Sequence, residues 1–248
     1  LPKPLGYILI VAGLAGMVAF VRFERIRRFP VFQMNLFFHN RIFAFSSFSA
    51  LINYSATFGI SFLMSLYLQY IKGMTPQGAG EILVIQPVIM ALCSPFTGKL
   101  SDRLDAGLIS TLGLVLLTVG LFILTGLTMQ SSLLFIGMVL GVFGLGFAFF
   151  SSPNTNAIMG SVEKKYYGLA SGTVGTMRLI GQLISMGIVM LLFSLIIGEV
   201  RIGPDNQGAF LTSARNSFLI FGMLGLIGVV LSSLRIQKTA ITKFKKNF

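Results

Sequence analysis

Charged side chains are scarce in this sequence. Asp, Glu, Lys and Arg make up 10% of it and 54% of residues are hydrophobic, with a mean hydropathy of +0.86. A soluble domain carries about 25% charged residues, so this chain cannot clothe a surface in water. Cysteine and histidine occur once each, as Cys93 and His39, which excludes an internal disulfide and leaves no set of ligands for a metal. Acidic residues number 7 against 19 basic ones, a net charge of +12. In a soluble protein that excess would point to nucleic acid. Here the basic residues stand in short stretches beside apolar runs, the pattern of membrane insertion, and no nucleic-acid partner is expected. Motifs of soluble enzymes are also missing. Cys93 stands where a phosphate-binding loop ending at Lys99 needs its first glycine, Leu100 separates Lys99 from Ser101, and Phe149 occupies the third-glycine position after Gly144-Leu145-Gly146. No acidic, His or Cys groups converge at one depth, so neither an enzyme nor a cofactor is expected.

What the sequence has is length without charge. No Asp, Glu, Lys or Arg lies between Arg41 and Lys72, between Asp105 and Glu163, or between Arg215 and Arg235. About 20 apolar residues cross the hydrocarbon layer as a helix, and the middle run is long enough for two crossings around a Gln130-Ser131-Ser132 turn. The pattern predicts an all-α polytopic bundle with spans at 5–21, 43–70, 79–97, 107–127, 133–157, 168–197 and 214–234. Lys and Arg then alternate. One side receives Arg22, Arg25, Arg27, Arg28 and Arg41, then Lys99 and Arg103, then Lys164 and Lys165, then Arg235, Lys238, Lys243, Lys245 and Lys246. The other side receives Lys3, Lys72, Arg201 and Arg215. Positive charge stays cytoplasmic, which places the C-terminus inside, the N-terminus outside and the protein in the plasma (inner) membrane. The basic tail from residue 235 onward is expected to hold anionic lipid at about 1 kcal/mol per basic residue. The first run begins at Leu1 with no charged segment before it, which reads as a span rather than a signal peptide and suggests missing upstream sequence.

A few polar residues fall where lipid should be. Ser171, Gly175, Arg178, Gln182 and Ser185 recur at helical spacing and share one face of the 168–197 helix. An Arg near the bilayer midplane costs roughly 2.5–3.5 kcal/mol on insertion scales, so Arg178 is expected to look into protein or a watered cavity. The alternative is an inward Arg held by backbone carbonyls. Ser46, Ser49, Asn53, Thr57 and Ser61 stripe the 43–70 helix. Serine and threonine can bond their own backbone, but the Asn53 amide needs partners from elsewhere, which makes Asn53 the cavity candidate. Gly137, Gly141 and Gly144 share a face of the 133–157 helix and suit close packing. Pro153 with Asn154, and Pro87 after Gln86, are expected to break their helices, as hinges or as packed kinks.

The segment Gly98-Lys99-Leu100-Ser101-Asp102-Arg103-Leu104-Asp105-Ala106-Gly107, read as the loop between the third and fourth spans, resembles motif A of the major facilitator superfamily. Gly98, Leu100, Asp102 and Arg103 match that motif, while Asp105 and Ala106 replace its Gly and Arg. Asp105 is placed to cap the following helix, and Asp102 to face a neighbouring helix N-terminus. Phe23, Arg28-Phe29-Pro30, Asn35-Leu36-Phe37, Tyr67-Leu68-Gln69-Tyr70, Gly73, Thr75-Pro76, Ser152-Pro153-Asn154, Gly168, Ala170-Ser171-Gly172 and Arg178 with Gly181-Gln182 are similar to the fourteen-helix drug:proton antiporters of the EmrB/QacA type.

That resemblance implies a linker helix and basic connector (1–42), a six-helix C-terminal domain (43–234) and a cytoplasmic tail (235–248), with an N-terminal half missing from the chain. It implies proton-driven export of a small hydrophobic or cationic substrate by alternating access, with no bound cofactor. Arg178, Gln182, Asn53 and Ser171 would line the cavity, and Gly98, Asp102 and Arg103 would form the cytoplasmic gate. The chain has no acidic residue at mid-membrane, so transport by this segment alone is not expected. A facilitator for a sugar, siderophore or metabolite, and a non-transporting half-subunit or fragment, are the alternatives.

Overall fold

The computed structural model describes residues 39–198 and 203–235 continuously, with isolated positions 11–13, 15, 16, 18, 19, 22, 23 and 37. The linker span expected at 5–21 is described only at some of its positions, and the basic tail after Arg235 lies outside the described residues. The elements are α1 (Arg41–Leu66), which continues into a π-helical turn (Tyr67–Ile71), α2 (Pro76–Leu83), α3 (Ile85–Arg103), α4 (Ala106–Thr125), α5 (Leu133–Gly160), α6 (Tyr167–Ile196) and α7 (Gln207–Ser233). Among the described residues there is no strand. Taken together, α2 and α3 form one crossing bent at Val84, which gives six membrane-length spans among the described residues.

Local chemistry sets the helix starts. Asn40, Thr75, Asp105 and Ser132 each accept a hydrogen bond from the backbone N–H three residues on, at Phe43, Gly78, Leu108 and Phe135. Each satisfies one of the donors that a helix start leaves unpaired, and Pro76 supplies the preset φ of a first helical residue. The bend at Val84 lies three residues before Pro87, which has no N–H to give the Leu83 carbonyl.

Three expectations are corrected here. The motif-like segment is not a loop: Gly98, Asp102 and Arg103 belong to the last turns of α3, and only Leu104 and Asp105 separate that helix from α4. Backbone hydrogen bonding carries the helix past the apolar stretch, so polarity marked the end of the lipid layer rather than the end of the helix. The last span starts at Gln207 instead of 214, with Arg215 inside it. The helix through Pro153 is unbroken. A proline deletes one backbone bond, and the surrounding turns are held by Thr155 Oγ1 donating to the Ser151 carbonyl at 2.9 Å and by Asn154 Nδ2 donating to the Ser46 carbonyl at 3.2 Å.

The helices pack in an open series α3–α5–α4–α7–α1–α6, with α6 also touching α7 and α1 touching α5. Exchanging α1 with α5, α3 with α6 and α4 with α7 turns the series into its own reverse. The bundle is therefore two three-span units of opposite direction packed on each other. Close approach depends on missing side chains. A Cβ at Gly144 would stand 2.6 Å from the Gln86 carbonyl of α3, and one at Gly181 would stand 2.6 Å from the Leu51 carbonyl of α1. The neighbouring Gly137 and Gly141 face Ile85 and Ile89, so that glycine stripe is the α5–α3 contact, as small residues in membrane helices predict.

The two ends of the series differ from its middle. In the most apolar 18-residue window, 56% of positions are buried in the first and third spans, but only 6% in the second and 17% in the fifth. The second span is α2–α3 and the fifth contains α6, so the least-covered helices are those at the open ends.

Candidate functional site

The polar stripe of α6 runs from the surface into the core. Ser171, Gly175 and Arg178 are exposed, Gln182 is half-buried and Ser185 is buried. Ser185 Oγ accepts the Gly59 backbone N–H at 2.8 Å, tying α6 to α1. Arg178, two turns earlier, lies on the uncovered part of α6 and has no polar partner among the described residues. The reading in which backbone carbonyls hold it inward is not what this geometry shows. Its neighbours Leu179 and Leu183 are 60% and 73% exposed, so the polar stripe is flanked by uncovered apolar surface inside a membrane-length helix.

Asn53 is placed differently. It lies at the level of Gly181 and Gln182, because Gly181 packs on Leu51, Tyr54 and Ser55, but it is only 1% exposed. Both its amide oxygen and its amide nitrogen lack partners, as does the hydroxyl of Ser49 one turn below. Thr57 donates to the Asn53 backbone carbonyl at 2.7 Å, which leaves the side chain unanswered. The structure thus brings Asn53, Gln182 and Arg178 to neighbouring depths while separating them: Asn53 sits inside the bundle and Arg178 outside it. Of the cytoplasmic-gate candidates, Asp102 and Arg103 are exposed at the end of α3, and a Cβ at Gly98 would lie 3.3 Å from Ser152 Oγ of α5. Asp105, next in the segment, caps α4 through Leu108 N–H at 3.0 Å.

The residue that sequence reasoning missed is Arg235. Counted above with the solvated basic tail, it is 5% exposed. Nη1 donates to Ser46 Oγ of α1 at 2.7 Å and to Asn154 Oδ1 of α5; Nη2 donates to Ser110 Oγ of α4 and to Ser232 Oγ of α7 at 2.9 Å. Ser232 Oγ in turn shares a hydrogen bond with Thr111 Oγ1 at 2.6 Å. One guanidinium therefore ties four helices at the end of the bundle where α1 and α4 begin. Burial pushes its pKa down to about 10, with Asp105 opposing the shift, so it remains charged at neutral pH. An isolated charge in a low-dielectric site is costly unless it is hydrogen-bonded, and the hydroxyls of Ser46, Ser110 and Ser232 meet that need. No local pattern announces it, since its partners on the other helices lie 81 to 189 residues away in sequence.

The opposite end is built from backbone acceptors. Three consecutive carbonyls beyond α4 receive three donors: Arg215 Nε to Leu127 at 2.6 Å, Tyr67 Oη to Thr128 at 2.6 Å and Lys72 Nζ to Met129 at 2.7 Å. Tyr67 opens the π-helical turn, a rare geometry that often accompanies functional sites, and its side chain is fully buried.

Comparison with known proteins places this geometry. Residues 5–186 and 46–247 each match the Major Facilitator Superfamily. Over 202 residues the chain is 27% identical to the riboflavin transporter RibZ of Clostridioides difficile, covering 82% of this chain and 44% of that protein. It is 28% identical over 182 residues to the multidrug resistance protein Stp of Mycobacterium tuberculosis, covering 73% and 34%. It is 24% identical over 221 residues to the lincomycin resistance protein LmrB of Listeria monocytogenes, covering 86% and 44%. The chain spans less than half the length of each of these relatives.

Proposed function

Since this chain belongs to the Major Facilitator Superfamily, we propose that it forms the C-terminal half of a proton-coupled multidrug exporter of the fourteen-helix type, working by alternating access in the plasma membrane. The observation that carries this reading is Arg178, exposed and without a polar partner among the described residues, in a membrane-length helix at an open end of the bundle. Ionisable side chains inside the membrane face a protein interior or water, and the described residues provide neither around Arg178. A second six-helix unit laid against α6 and α3 would supply both, with Arg178, Gln182 and Ser171 on the wall between the halves. Asn53 then stiffens that wall from behind rather than meeting the substrate. Asp102 and Arg103 work at the cytoplasmic mouth, and the bend before Pro87 absorbs part of the motion.

Proton coupling requires carboxylates near mid-membrane. Asp102 and Asp105 lie at one end of α3 and α4, and Glu81 lies near the other end of the α2–α3 span, so the titrating groups are assigned to the partner half. The full-length protein carrying this segment is expected to lower intracellular accumulation of a hydrophobic cationic dye. Arg178→Ala is expected to abolish that export at unchanged membrane abundance, and export at the wild-type rate in Arg178→Ala would remove the site assignment. The named substrate of RibZ favours one other reading, a transporter of a flat, polar heteroaromatic compound. Competition of dye export by riboflavin separates the two.

A further inference from the structure

The helices expose two kinds of surface. In α4 every exposed side chain is aliphatic, namely Leu108, Leu112, Val115, Val119 and Ile123, which suits contact with lipid tails. In α1, beyond the first turn, the exposed residues are Phe48, Phe58 and Ser61, with no aliphatic side chain among them. Phe58 is 42% exposed, and half-buried Tyr54 lies one turn before it. Steps of four and three put Tyr54, Phe58 and Ser61 on one face, about 100° around the helix from buried Asn53. That face adjoins the Arg178 stripe. A Cβ at Gly181 of α6 would lie 2.8 Å from Tyr54 Cβ, and Ser185 meets Gly59, so the two helices run alongside in the same direction. Arg178 and Gln182 therefore stand within one turn of the point where α6 touches Tyr54. The hydroxyls of Tyr54 and Ser61, the Gln182 amide and the Arg178 guanidinium have no hydrogen-bond partner among the described residues. Ser55 and Thr57 on the same helix bond carbonyls one turn back, at 2.8 and 2.7 Å, and Ser65 accepts from Gln69 at 2.9 Å. The unanswered polar groups of α1's open face are thus confined to the level of Arg178, Gln182 and the two rings.

Resting on the exporter reading above, we infer that Tyr54 and Phe58 are specificity-determining residues and that the transported solute carries a flat aromatic ring system, stacked on their rings and oriented by hydrogen bonds to Ser61, Gln182 and Arg178. An aromatic side chain offers a ring face and a ring edge of opposite partial charge, which reward another ring more than an aliphatic chain. A guanidinium also stacks on ring faces, so Arg178 serves the same solute. Lipid would leave the hydroxyls and the amide unanswered, whereas a ring bearing heteroatoms or amino groups answers them. A flat cation and a flat uncharged heteroaromatic compound share this ring chemistry, and the test separates them.

The test uses the full-length protein carrying this segment in inside-out membrane vesicles energised with a proton gradient. It reads uptake of ethidium, a flat aromatic cation, of riboflavin, a flat uncharged heteroaromatic compound, and of tetrapentylammonium, a cation without a ring. Ethidium or riboflavin is expected to be taken up faster than tetrapentylammonium at equal concentration, and whichever is preferred identifies the charge of the solute. Phe58→Leu keeps an apolar side chain without the ring, and is expected to raise KM for the flat probe about two- to tenfold at unchanged maximal rate, the worth of one aromatic contact. Phe58→Tyr restores the wild-type KM. Tyr54→Leu acts like Phe58→Leu, while Tyr54→Phe keeps the ring and costs about twofold, the low end for one hydrogen bond. If Tyr54→Leu is lost from the membrane, Phe58→Leu decides. An unchanged KM in Phe58→Leu, or tetrapentylammonium uptake as fast as that of both flat probes, overturns the aromatic assignment and leaves the exporter reading standing. No proton-driven uptake of any probe by the wild type overturns the exporter reading, and this inference with it.

Discussion

The two ends of the bundle are closed by opposite strategies. At the end carrying Arg235, a single buried cation gathers side-chain oxygens from α1, α4, α5 and α7. At the other end, three separate donors, from the π-helical extension of α1, from the residue that follows it and from α7, each take one of three backbone carbonyls after α4. The first arrangement concentrates its dependence in one residue: without it, four helices lose a common partner and several polar groups stay buried. The second spreads its dependence, so that no donor is essential.

Substitutions at the two ends sharpen this contrast. Arg235→Ala is expected to be the most damaging, by about 3–5 kcal/mol, because it removes four hydrogen bonds from a charged donor and leaves neutral oxygens of α1, α4 and α5 buried without that partner. Thermal unfolding of the detergent-solubilised chain measures it, and a loss below about 1 kcal/mol would place Arg235 in the solvated tail after all. Arg215→Ala at the other end is expected to cost about 1.5–2 kcal/mol, the value of one partly buried hydrogen bond from a charged donor. Tyr67→Phe removes a neutral donor and leaves the ring in place, with an expected loss of about 1 kcal/mol. If Tyr67→Phe proved as costly as Arg235→Ala, the π-helical turn would be the keystone and the comparison between the ends would be reversed.

Much of this architecture was legible in the sequence. Uncharged runs and alternating basic loops located six crossings, four of them within a few residues at both ends, because lipid enforces internally bonded helices of near-constant length. The glycine stripe at 137, 141 and 144 was read as a packing face, and it packs on α3. Helix ends were read less well. Charge marks the lipid boundary, and α3 and α7 ignore it by continuing through Asp102 and Arg215. Pro153 looked like a break because one missing hydrogen bond is visible in sequence and the bonds that compensate are not. Arg235 was invisible in its role for the same reason: Ser46, Ser110 and Asn154 are each unremarkable until the fold brings them within reach of one guanidinium. The Arg178 stripe was legible as a helix face, while the opposite fates of Arg178 and Asn53 came only from the packing of α6 on α1.

The central claim is that the exposed face of α6 borders water and a protein partner, not lipid. In a Cys93→Ser background of the full-length protein in native membranes, a water-soluble, membrane-impermeant thiol reagent is applied to Arg178→Cys and, separately, to Leu179→Cys, the next residue along and so at similar depth, on another part of the helix, with Leu183→Cys as a second such control. Rapid labelling at 178 with little at 179 or 183 is the predicted result. A cysteine at 178 as unreactive as those at 179 and 183 would place that guanidinium against lipid and contradict the account.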